Sequence, residues 1–108
     1  MGIEEPNKLD ILGKHKNGNP FIGIFDAGVT TDEKTRFLLL AQKLKNYLKY
    51  LLTEQYKSSY PKNKPEDFDI LVYCKNEPTE DMKKLISIKG KLENKEIEIP
   101  VSFEIHKE

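Results

Sequence analysis

The sequence predicts an α+β domain: a two-layer sandwich in the order ββαβαβ, with one mixed four-stranded sheet and two helices on one of its faces. Three observations lead there. Residues 30–56 repeat their apolar side chains at the 3.6-residue period of a long amphipathic helix. Short runs of alternating apolar and polar residues stand on both sides of it. Single helical stretches separate the later strands, which favours parallel pairing through right-handed crossovers.

Residues 8–15 read as the first strand, with Leu9, Ile11 and Gly13 on one face and Asp10, Leu12 and Lys14 on the other. Asn17-Gly18-Asn19-Pro20 is a turn, since Asn and Gly tolerate positive φ and Pro20 cannot donate to a ladder. Residues 21–26 return as a second strand, apolar on both faces and so placed inside the sheet. Thr30-Thr31-Asp32-Glu33 fits a capping box that starts the long helix at Thr30. Phe37, Leu40, Ala41, Leu44, Tyr47, Leu48 and Leu51 form its inner stripe, and the end toward Tyr56 overhangs the sheet. Pro61 and Pro65 stop further helix.

Residues 68–75 read as a third strand, with Phe68, Ile70, Val72 and Cys74 facing inward and Leu71 and Tyr73 outward. Pro78-Thr79 opens a second helix, capped by Thr79 and lined inside by Met82, Leu85, Ile86 and Leu92. Gly90 is its weak point. Val101, Phe103 and Ile105 alternate with Ser102, Glu104 and His106 in a final strand that Pro100 begins. The uncovered face carries Leu12, Leu71 and Tyr73.

The 108 residues make one domain, 1–108. Eighteen basic and eighteen acidic residues cancel, but unevenly. Positions 34–64 hold eight basic residues against one acid, Glu54, a net charge of +7 that the remainder balances with −7. Charge segregated in this way steers an acidic partner even when the total is zero. One cysteine rules out an internal disulfide. The acidic start has no apolar signal-peptide region, and no apolar run approaches a membrane span, so the expected location is cytoplasmic and no membrane partner is expected.

No arrangement of chemistry-bearing residues matches a reaction. Cys74 with His15 or His106 would be a thiol and base, but Cys74 lies among inward apolar residues. Two histidines and one cysteine give no zinc spacing, and no cofactor is expected. Asp32-Glu33 and Glu80-Asp81 are explained by helix starts, and Glu66-Asp67 precedes a strand. Gly18, Gly23 and Gly28 are followed by no phosphate-loop lysine. An enzyme would need Asp26, Tyr73 and His106 to converge.

The long helix carries the sharper expectation. Opposite its stripe the wheel places Leu39, Gln42, Lys43, Asn46, Lys49, Tyr50, Thr53 and Lys57. Aromatic and aliphatic residues among cations suit a protein interface. The expected binding residues are Leu39, Lys43, Asn46, Lys49, Tyr50 and Lys57. The same residues could meet nucleic acid, but the only arginine is Arg36, which weighs against it.

Three stretches also carry a family likeness: Ile3-Glu4-Glu5-Pro6-Asn7-Lys8-Leu9-Asp10-Ile11-Leu12-Gly13; Phe37-Leu38-Leu39-Leu40-Ala41-Gln42-Lys43-Leu44 with Asn46-Tyr47-Leu48; and Tyr60-Pro61 ahead of an apolar strand. The chain resembles a family of small bacterial proteins with no assigned activity. That resemblance implies the ββαβαβ order and supplies no active site. Ala27-Gly28-Val29-Thr30 departs from the acidic stretch of other members. The function expected is therefore a small cytoplasmic protein-binding module, such as an immunity protein or antitoxin that occludes a toxin. The alternative is a homo-oligomeric accessory protein.

Overall fold

The computed structural model describes residues 2–5 and 8–105. Strands β1 (Ile11–Lys14), β2 (Pro20–Asp26), β3 (Asp69–Cys74), β4 (Ser87–Leu92) and β5 (Lys95–Ile105) form one mixed sheet in the order β1-β2-β3-β5-β4. The helices are α1 (Glu33–Leu52) and the single-turn α2 (Glu80–Lys83). Strands β2, β3 and β5 run parallel, and antiparallel β1 and β4 close the two edges. The α+β class, the mixed sheet and the two helices are as the sequence predicts. The strand count is five rather than four. Pro6, Asn7 and His106 lie outside the described residues.

The extra strand replaces most of the predicted second helix, which ends at Lys83. Ile88, Gly90 and Leu92 alternate with Lys89 and Lys91, and the segment pairs with Lys95–Pro100 at the start of a long β5. Glu93 and Asn94 turn the hairpin with φ of 52° and 67°, the backbone that a two-residue type I′ turn needs. Gly90 is not a helix weak point. A Cβ there would lie 2.8 Å from Leu52 Cδ1 and 3.3 Å from the Leu48 methyls, so glycine lets α1 close onto β4.

Helix α1 is shorter than the 30–56 expected. Its N-cap is Asp32, whose carboxylate accepts from Thr35 N at 2.8 Å; Thr30 instead donates to Glu4 at 2.7 Å. After Thr53, Glu54 turns left-handed (φ 62°) and a 3₁₀ turn follows over Gln55–Ser58. Tyr56 does not overhang: it is 1% exposed and packs edge-on to Phe68 at 5.1 Å.

The core lies between α1 and one sheet face. Ile22, Ile24, Ile70, Val72, Cys74, Ile97, Ile99 and Val101 meet Leu40, Leu44, Tyr47 and Leu51 there, and Met82 of α2 joins them. Ile3 of the N-terminal segment is also fully buried and donates N–H to Phe25 O at 3.0 Å. Leu12 pairs with Ile22 and therefore points to the helix side, not to the uncovered face. Ile86, expected inside, is exposed, because the chain has left the helix by then.

Ile11, Phe21, Phe25, Leu71 and Tyr73 line the opposite face. They lie flat on it. A Cβ on Gly23 would meet Ile11 Cγ2 at 2.1 Å and Tyr73 Cε2 at 3.2 Å, so these two side chains close over that glycine. Phe25 stacks on Tyr73 with ring centroids 5.5 Å apart.

Candidate functional site

Helix α1 decides the surface. From Lys34 to Thr53 it contains no carboxylate and five cations: Lys34, Arg36, Lys43, Lys45 and Lys49. The structure divides them into two groups.

Arg36 and Lys43 turn inward. Arg36 Nε donates to Asp26 Oδ2 at 2.5 Å, and its other nitrogens donate to Glu77 O (2.7 Å) and Asn76 O (2.9 Å). Lys43 Nζ donates to Asp10 Oδ1 and Gly2 O, both at 2.6 Å, and to Glu5 O at 3.2 Å. Asp10 also accepts from Gly2 N (2.9 Å) and Phe25 N (2.8 Å), so the buried carboxylate is fully coordinated. Tyr47 completes this network. Its hydroxyl accepts from Asp10 N at 3.1 Å and donates to Gly23 O at 3.2 Å. Burial pushes its pKa well up, against the hydrogen bond from Asp10 N–H and with a smaller push from the Asp10 charge, which keeps it a donor.

Lys43 is therefore corrected: it was expected on the wet face and is 0% exposed. The buried arc runs through Arg36, Leu40, Lys43, Leu44, Tyr47 and Leu51. It is turned by about 50°, half a residue step, from the purely apolar stripe. An apolar moment cannot detect this, because the buried carboxylates that hold the two cations lie far away in sequence.

Lys34, Lys45 and Lys49 turn outward and are exposed. None of them forms an ion pair with a carboxylate among the described residues. Leu38, 57% exposed, lies on the same side, a position that the helix wheel does not single out.

On the flank of α1, Asn46, Lys49 and Tyr50 come together. They line a groove of about 410 Å³ with Lys8, Leu9, Tyr47 and Gln55. Its second wall, the N-terminal segment, was not legible in the helix wheel. Leu9 is 40% exposed there. Tyr50 is half-buried, and burial, then neighbouring Tyr60, raises its pKa. Leu39 is half-buried against the core and does not line the groove. Lys57 sits beyond α1 on the 3₁₀ turn and pairs with Glu54 at 3.0 Å.

Among the described residues the chemical alternatives do not assemble. Cys74 is fully buried, and desolvation, then Asp26, pushes its thiol up to about 11. His15 bonds Asp69 at 2.8 Å, at the far end of β3, five residues and roughly 17 Å from Cys74. Asp26 points to the helix side and Tyr73 to the other face, since Asp26 pairs with Cys74 and Phe25 with Tyr73. Two hydrogen bonds from Thr35, the side-chain one leading, hold Asp32 below the usual carboxylate range, as befits a cap. Among the described residues no group of three or more His, Cys, Asp or Glu is placed to hold a metal ion. No helix among them is long and apolar enough to cross a membrane.

A model of a family of unknown function (DUF6572) matches residues 1–107. The chain belongs to that family. No curated protein and no solved structure matches it. The family match agrees with the resemblance read from the sequence and assigns DUF6572 no activity.

Proposed function

We propose that this protein is a small cytoplasmic binding module whose α1 outward face docks an acidic protein partner. One observation carries the reading: the fold supplies dedicated buried carboxylates for Arg36 and Lys43, yet leaves Lys34, Lys45 and Lys49 without one. Three uncompensated cations around exposed Leu38 form a field that an acidic surface would complement. Occlusion of a toxin, as an immunity protein or antitoxin does, fits a compact binder without chemistry of its own. The single arginine is used internally, which favours a protein over nucleic acid.

The test is capture from nuclease-treated native-host lysate, with the wild type and the Lys45→Glu/Lys49→Glu variant side by side. A stoichiometric partner with an acidic interface, lost with the variant, supports the proposal. A partner retained equally by both would contradict it. A second reading, self-association through the uncovered sheet face, rests on Ile11, Phe25, Leu71 and Tyr73 there. Light scattering that finds a monomer at high concentration would remove it.

A further inference from the structure

We infer that the groove between the N-terminal segment and α1 receives one apolar anchor side chain of the partner, with a carboxylate beside it. This rests on the docking role of α1 and specifies its chemistry. The groove has two apolar walls, Leu9 on the segment and Tyr50 on the helix, with the Tyr47 ring beneath. Its volume of about 410 Å³ leaves room for an apolar anchor side chain together with the carboxylate-bearing residue next to it.

Its charge is one-sided. Lys49 has no carboxylate partner among the described residues. Lys8 on the opposite rim holds only Glu5, at 2.9 Å, with the lysine 71% exposed. An exposed pair of this kind is weak and exchanges readily for an incoming carboxylate. The polar groups that remain are neutral and engaged: Gln55 donates to Thr53 Oγ1 at 3.0 Å, and Asn46 accepts from Gln42 at 3.1 Å. The rims thus offer two cations, the walls offer apolar surface, and no acid lines the groove among the described residues.

The wall is rigid. Ile3 is locked in the core, and Lys43 binds Gly2 O, Glu5 O and Asp10 together beneath the segment. A preformed pocket avoids the ordering entropy that weakens binding by mobile surfaces.

An amide-resolved NMR titration of the full chain tests this with two capped peptides, Asp-Glu-Phe-Glu-Asp and Asp-Glu-Ala-Glu-Asp, each taken to about 1 mM. The phenylalanine peptide is expected to move the amides of Leu9, Asn46, Lys49 and Tyr50. The alanine peptide is expected to bind at least about tenfold more weakly. Leu9→Glu, at an exposed wall position, is expected to abolish the difference while leaving the rest of the spectrum unchanged. Equal shifts from both peptides, spread over Lys34 and Lys45, would overturn the anchor and leave α1 as a docking face. Absence of any shift would overturn both. Concentration-dependent shifts of the groove without peptide would identify a second copy as the occupant. Tighter binding of an oligothymidylate at the same amides would identify nucleic acid. Either outcome overturns the proposal.

Discussion

Removing one member of a buried ion pair leaves a charge that nothing nearby neutralises. At Lys43 the cost should be large, because Asp10 would keep only backbone donors. Lys43→Met is expected to lose about 3–5 kcal/mol of unfolding free energy in denaturant titrations. The double variant Asp10→Asn/Lys43→Met should recover part of that loss; a Lys43→Met loss under about 1 kcal/mol would show that the pair is not a structural anchor. Cys74 gives a pH prediction. Its folded pKa of about 11 lies above the ordinary thiol value of 9.0, so the neutral thiol is the native form. Its contribution is fully present below pH 9.0 and is lost as pH rises toward about 11. Cys74→Val should therefore flatten the decline in stability across that window, measured against the wild type so that tyrosine titration cancels. At this scale the sequence was half legible. Cys74 is inward as read, because free cysteine packs as a small apolar residue. Lys43 was misplaced, because nothing local announces that Asp10 waits to receive it.

At the scale of elements, the sheet edge shows what periodicity hides. Residues 87–92 contain two lysines and a leucine, which are good helix formers, and a helical start at Thr79 leads into them. The strand was visible only as the alternation of Ile88, Gly90 and Leu92. The turn that commits it, Glu93-Asn94, has no glycine to mark it. Two left-handed residues there store strain, so Glu93→Asn/Asn94→Gly is expected to stabilise the protein by about 1 kcal/mol in thermal or chemical unfolding. A neutral or destabilising result would mean that the hairpin does not turn at this pair. Gly90→Val is expected to cost about 1–3 kcal/mol by prising α1 from β4. Strands β2 and β3, with uninterrupted patterns, were legible because burial alone sets both their faces; α1 was legible as a helix, but its two buried cations turn its inner face away from the apolar stripe.

Across the whole molecule, the charge asymmetry read from the sequence persists, but the fold refines it. Two cations of the basic segment are spent inside, at Asp26 and Asp10. Lys34, Lys45 and Lys49 remain on the outer side of one rigid helix, and Lys49 borders the anchor groove. The sequence could show where charge is concentrated along the chain. It could not show the groove, whose walls are some forty residues apart and meet only because Ile3 enters the core. The central claim is that this helix docks an acidic partner. It is tested most directly by the association rate of the captured partner as a function of ionic strength, for the wild type and for Lys45→Glu/Lys49→Glu. The account predicts a wild-type rate that falls steeply with salt, and a variant at least about tenfold slower at low salt and nearly insensitive to it. Equal rates with the same salt dependence would contradict it.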